Sequence, residues 1–208
     1  MKKGIILLAS YLLVMVFLGN AFSQSVDEAR RLYEKGLEAA QYGKYLNAIS
    51  YYKKSLDMCR RQNNLHGISA CLNNMGLVYY SLGQYEQAIS CYRESLKIKR
   101  KLNTPQDIAA ILNNIGNLYN SLGKHEKALY YHSESLKIRR ELNLSKDIVA
   151  SLNDIGNVYE NLADYENALL YLNESLKICK ELNNTQDAAA VQIGIGNVYT
   201  SLGQYEIA

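Results

Sequence analysis

The 208-residue sequence contains no tryptophan, a single proline and two phenylalanines, Phe17 and Phe22, both within its first 23 residues. Whatever folds beyond that segment builds its aromatic packing from tyrosine, of which the chain has 18. Tyrosine buries its ring while its hydroxyl reaches water or a carbonyl, which suits thin layers where few positions lie far from solvent. Charge of one sign is lacking too. The formal charge is +3, and with Lys2 and Lys3 of the N-terminal segment set aside, 21 basic residues face 20 acidic ones. A nucleic-acid footprint needs a basic excess, so nucleic acid is excluded as an expected partner. No strand alternation, phosphate loop, nucleophile elbow or paired-carboxylate site is present. The chain is therefore read as not an enzyme, with no small-molecule substrate, cofactor or metal.

Residues 1–23 have the composition of a secretory signal peptide. Lys2 and Lys3 form a positive start, Ile5 to Leu18 is an almost unbroken apolar run, and Ala21-Phe22-Ser23 places small residues where a signal peptidase reads them. Cleavage before Gln24 and a periplasmic or secreted location are expected. The alternative is an uncleaved anchor over residues 5–18, although that run is shorter than the roughly 20 apolar residues that span a bilayer. No second membrane segment appears before Ala208.

The remaining residues, 24–208, repeat. Leu112-Asn113-Asn114-Ile115-Gly116-Asn117-Leu118-Tyr119 recurs 40 residues on as Leu152-Asn153-Asp154-Ile155-Gly156-Asn157-Val158-Tyr159, and 40 residues earlier from Leu72 to Tyr79. Glu94-Ser95-Leu96-Lys97-Ile98 recurs in the same way at Glu134–Ile138 and Glu174–Ile178. Internal copies of this length mark a repeat architecture. Each copy reads as two helices. The first has apolar residues at helical spacing, as in Leu112, Ile115, Leu118, Tyr119 and Leu122, and stops at Gly123, with matching breakers at Gly43, Gly83 and Gly203. Ala163 stands in the corresponding place of the fourth copy, where the turn is expected to be strained or differently closed. The second helix is expected from near His125 to about Leu142. Thr104-Pro105 provides a start signal, and Asp107, Asp147 and Asp187 put negative charge in the following first turns. Gly116 and Ala128 are expected to meet where the helices of one hairpin cross. Copies are drawn at about 29–68, 69–108, 109–148, 149–188 and an incomplete 189–208.

The fold class this predicts is all-α, a solenoid of antiparallel helical hairpins. The signature Gly76, Tyr79, Ala88, Tyr92 and Ser95, with Gly116, Tyr119 and Ala128, Gly156, Tyr159 and Ala168, and Gly196 and Tyr199 after it, resembles the tetratricopeptide repeat. The 40-residue period is similar to the longer-helix subgroup of that family, as in kinesin light chains. The resemblance covers residues 26–208 and implies an α-α superhelix whose first helices line a concave, partner-binding face.

Carried over by position, that face has Asn73, Asn113 and Asn153 in one row, with Ile193 breaking it. Asn117, Asn157 and Asn197 follow four residues on, after Leu77. Tyr80, Asn120, Glu160 and Thr200 come next. Residues four apart share a helix face, so the asparagines form two ladders. An amide donates and accepts at once and so matches an extended peptide backbone; the competing reading is a polar filler or a hydrogen bond that fixes repeat stacking. A carboxylate clamp is argued against, because Ala70, Ala110, Ala150, Asn73 and Asn113 stand where basic residues are needed.

His125 takes a slot held by Tyr85 and Tyr165, and His132 one held by Tyr92 and Leu172, so neither belongs to a metal or catalytic set with His66. Cys59, Cys71, Cys91 and Cys179 read as buried single thiols, with Cys59 and Cys71 the one pair to test. Basic runs at Lys97–Lys101 and Arg139-Arg140 read as solvated helix ends. Asn143-Leu144-Ser145 and Asn183-Asn184-Thr185 match glycosylation acceptors. Two functional expectations follow: an exported scaffold for a protein or peptide, or the sensory input region of a longer signalling protein such as a membrane histidine kinase. An apolar edge at the last hairpin also predicts end-to-end self-association.

Overall fold

The computed structural model describes residues 24–203. The expected export segment and residues 204–208 lie outside the described residues. Among the described residues every regular element is a helix. They are α1 over 24–41, α2 (Tyr45–Arg61), α3 (Leu65–Ser81), α4 (Tyr85–Lys101), α5 (Pro105–Ser121), α6 (His125–Glu141), α7 (Ser145–Asn161), α8 (Tyr165–Glu181) and α9 (Thr185–Ser201). From α2 onward each begins 20 residues after the one before. Each 40-residue copy is thus two equal helices and two equal turns. The fold is the all-α hairpin array that the repeats predict.

Equal turns have one backbone solution. In every connector the second residue sits in the left-handed region, at φ between 51° and 74°. Its N–H reaches the carbonyl three residues back, and the next N–H reaches the one five back, as in Gly123 to Asn120 and Lys124 to Tyr119. This satisfies helix-end carbonyls that would otherwise lack donors. Glycine serves at 43, 83, 123 and 203, and asparagine at 63, 103, 143 and 183. Asparagine is the side chain that tolerates this region best. Ala163 adopts φ 57° with the same two hydrogen bonds, Ala163 to Glu160 and Asp164 to Tyr159, each 2.9 Å. The turn is therefore strained rather than differently closed.

The chain forms two compact units, Met1–Ile98 and Lys99–Ala208. In the first, Ala48, Tyr52, Leu56, Cys71, Leu72, Met75 and Val78 are buried in one core. In the second, one cluster centres on Leu136, Leu152 and Ile155, and another on Val149, Leu172, Val191 and Val198. A fully buried Leu, Ile or Val stabilises the fold by roughly 1.5–3 kcal/mol relative to exposure.

Two contacts repeat within the units and explain their motifs. The glycine of each first helix is covered by the residue 16 positions on. A Cβ added to Gly36 or Gly76 would lie 2.5 or 2.6 Å from the ring of Tyr52 or Tyr92, and one at Gly116 or Gly156 would lie 2.6 Å from His132 Cε1 or 2.7 Å from Leu172 Cγ. The side chain nearest Gly116 is His132, and Ala128, expected from sequence at this crossing, is fully buried; in the next copy the backbone oxygen of its counterpart Ala168 lies 3.4 Å from a Cβ placed on Gly156. The serine of each Glu-Ser-Leu-Lys motif, and Ser55 at the same position of the first copy, is buried and donates to a carbonyl 26 residues earlier: Ser55 to Ala29 at 2.7 Å, Ser95 to Ser69 at 2.8 Å, Ser135 to Ala109 at 2.8 Å and Ser175 to Val149 at 3.2 Å. A small hydroxyl lets the second helix approach while its polar atom stays partnered.

Candidate functional site

In the second unit the first helices α5, α7 and α9 lie side by side, so like residues of successive copies come to one face. Their register is offset by one residue. Asn113 donates its amide to Asp154 Oδ2 at 2.8 Å, and Asn161 donates to Asn120 Oδ1 at 3.2 Å, each pair 41 positions apart. The same offset appears in the first unit, where Asn74 donates to Tyr33 Oη at 2.6 Å.

The two asparagine rows therefore have different fates. Asn113 is 9% exposed, and its Oδ1 also faces His132 Nδ1 at 3.3 Å and Arg139 Nη1 at 3.4 Å. This residue fixes the stacking of copies and does not offer its amide to a groove. Asn153, in the same row, is half-buried, with Oδ1 buried and unpartnered. In the second row Asn117 and Asn157 are half-buried and Asn197 is exposed. Their side chains carry no hydrogen bond to another described residue. Asn120 is occupied, accepting from Asn161 and facing His125 Nδ1 at 2.9 Å, and Thr200 Oγ1 donates to Gly196 O of its own helix. Asn73 in the first unit is half-buried.

Beneath this face lies a polar network that sequence reasoning placed on the surface. Arg139 is 8% exposed. Its Nη1 donates to Ser151 Oγ at 2.6 Å and to Asp147 O at 2.9 Å. Burial lowers the pKa of its guanidinium, while Asp147 and Asp154 pull it back up. Burial likewise raises the Asp154 carboxyl, against the Asn113 amide and Arg139. His132 is fully buried, and its pKa falls to about 4 because of burial first and Arg139 second. The signal for Arg139 was its register: positions 59 and 179 of the same series are Cys59 and Cys179, both buried, and the side chain of Lys99 is only 12% exposed, with Nζ 2.8 Å from Asp107. Arg140, the next residue, is indeed solvated and pairs with Glu174 at 2.6 Å. Thr104 caps α5 without a side-chain bond to it, its hydroxyl facing Lys99 O at 3.4 Å.

All four cysteines are free thiols, buried at 59, 71 and 179 and half-buried at 91. Burial pushes the Cys71 and Cys91 thiols up to about 11. Cys71 Sγ lies 3.4 Å from Ser55 Oγ. No helix among the described residues is long and apolar enough to cross a membrane.

A sequence pattern described as tetratricopeptide repeat matches residues 40–101, 107–181 and 147–208. The chain belongs to the tetratricopeptide repeat family. No curated protein matches it. Among solved structures it is similar to BtubC from P. vanneervenii, at 24% identity and a TM-score of 0.74 over 91% of this chain and 84% of that one. It is also similar to a Rap protein complexed with competence and sporulation factor, at 22% identity and TM-score 0.73 over 86% of this chain and 50% of that one. A third is a signal transduction ATPase with a tetratricopeptide repeat sensor from Pyrococcus horikoshii, at 18% identity and TM-score 0.78 over 88% of this chain and 29% of that one. The chain spans half the length of the Rap protein and under a third of the ATPase. At these identities the likeness carries the fold. Hairpin arrays of this class are protein-interaction scaffolds, and they are generally not enzymes.

Proposed function

We propose that the protein is an exported scaffold that binds an extended polypeptide along the face formed by α5, α7 and α9. The observation that carries this reading is the second asparagine row. Asn117, Asn157 and Asn197 repeat at a 40-residue interval, and none has an internal hydrogen bond to a described residue. Such amides pair with the alternating N–H and C=O groups of a strand-like ligand. Asn113 and Asn120 instead hold copies together, so the clamp is narrower than the full set of asparagines read from the sequence.

The test is an array of 12-residue peptides probed with the full chain, followed by Asn117→Ala/Asn157→Ala. Affinity for the best peptide should fall about tenfold, as for two lost hydrogen bonds, with the melting temperature unchanged. Retained affinity with lowered stability would assign these residues to packing instead. Export is tested separately by fusing residues 1–23 to a reporter active only outside the cytoplasm, and by N-terminal sequencing, with Gln24 as the expected first residue.

A second reading, a sensory input region of a larger signalling protein, rests on the Rap protein's bound factor and on the ATPase, whose repeats form a sensor. In that case the same face would take a signalling peptide.

A further inference from the structure

Arg139 fills the gap between the first helices α5 and α7. Its Nη1 donates to Ser151 Oγ at 2.6 Å, to Asp147 O at 2.9 Å and to Asn113 Oδ1 at 3.4 Å. Two copies earlier in the chain, the four counterparts are Cys59, Cys71, Gly67 and Tyr33. A thiol there replaces a guanidinium on its long stem. Gly67 has no side chain, and a Cβ on it would lie 2.5 Å from Cys59 Sγ. The corresponding gap between α1 and α3 is left open, and a cavity of about 430 Å³ occupies it. That volume lies within the range of small-molecule sites.

The interior of this cavity is apolar. Its floor is the buried Ala29, Cys59 and Cys71, and its walls are the half-buried Val26, Tyr33 and Ala70. The polar atoms inside are already paired: Ser55 donates to Ala29 O at 2.7 Å, the Cys71 thiol donates to Ser55 Oγ at 3.4 Å, and Tyr33 Oη accepts from Asn74 at 2.6 Å. The mouth is different. Arg30, Asn64 and His66 are its exposed residues, and among the described residues no carboxylate lines the cavity. Asn64 Oδ1 accepts from Gly67 N at 3.0 Å, so the half of its amide left over is the donor half. Arg30 pairs with Asp27 at 3.2 Å, but with side chains 65% and 68% exposed that pair is weak enough to be exchanged.

We propose that the cavity between α1 and α3 binds a small carboxylic acid with an aromatic or medium-chain apolar body. The body lies against Ala29, Ala70 and Cys71, and the carboxylate accepts from Arg30, Asn64 and His66. An anion is favoured because each side chain at the mouth is a cation or presents a donor, and a histidine ring donates in either charge state. An Asp or Glu side chain of a polypeptide carries the same head on too short a stem to cover the apolar floor. The site lies in the first unit and does not depend on the reading of α5, α7 and α9.

The probes are phenylacetate and hexanoate, with the neutral phenylacetamide and hexanamide beside them, titrated into the full chain by calorimetry. Methyl NMR signals of Ala29 and Ala70 report where they bind. The acids should bind, shift both methyl signals and exceed their amides in affinity. Arg30→Gln, a change at the exposed mouth, should weaken the acids about tenfold and leave the amides unchanged. Cys59→Arg with Cys71→Ser copies the filled gap of the later copy and should abolish binding of all four probes. Circular dichroism melts establish that the variants fold; if the double variant does not, Arg30→Gln and the methyl signals decide alone. No binding, equal affinity of acids and amides, or unshifted Ala29 and Ala70 signals overturns the proposal. Tighter binding of a pentapeptide ending in leucine than of both acids also overturns it, assigning the site to a polypeptide terminus.

Discussion

His132 gives the sharpest test of the packing described above. It takes the place that Tyr52, Tyr92 and Leu172 fill in other copies, is fully buried against Gly116, and has Nε2 without a partner. Burial and the neighbouring Arg139 lower its pKa to about 4, against about 6.5 in an unfolded chain. The folded state therefore holds a neutral imidazole while the unfolded state takes up a proton as pH falls. The resulting stability is fully present above about pH 6.5 and is lost progressively as pH falls toward 4. A difference of about 2.5 units at 1.36 kcal/mol each makes the loss about 3 kcal/mol. His132→Leu removes the titration, and Leu172 shows that leucine fits over the equivalent glycine. Urea denaturation followed by circular dichroism at pH 7, 6, 5 and 4 should show the native protein losing about 3 kcal/mol more than the variant. Hydrogen exchange of α5 and α6 amides should localise the loss, because repeat arrays can open in part. Parallel pH profiles for the two proteins would refute the claim that a neutral histidine is locked in the core.

Other outcomes follow from the turns and crossings. Ala163→Gly should stabilise the protein by about 1 kcal/mol, since a Cβ in the left-handed region costs about that much; an unchanged thermal melt would contradict the strain assigned to this turn. Gly76→Ala should destabilise by about 1–3 kcal/mol through overpacking against the Tyr92 ring, and pairing it with Tyr92→Leu in a double-mutant cycle should recover part of the loss. Ser135→Ala, which removes the donor to Ala109 O, should cost about 1 kcal/mol in chemical denaturation.

The helices, their ends and the repeat were legible in the sequence because they are local: apolar spacing, a glycine in four of the five alternate turns and a motif returning after 40 residues need no knowledge of neighbours. Family membership followed from the same local marks. The asparagines that place the other turns in the left-handed region, Asn63, Asn103, Asn143 and Asn183, were also visible as a series, but their role was not read from it. Which polar side chains are buried was decided only in three dimensions. Arg139 and Arg140 are adjacent in sequence, yet one turns under the next copy and the other into solvent. Asn113 and Asn117 share a helix face, yet only Asn113 meets a partner across the one-residue offset between copies. Helical periodicity fixes which residues share a face of one helix; the pairing of polar atoms between helices depends on register, and register is settled by packing.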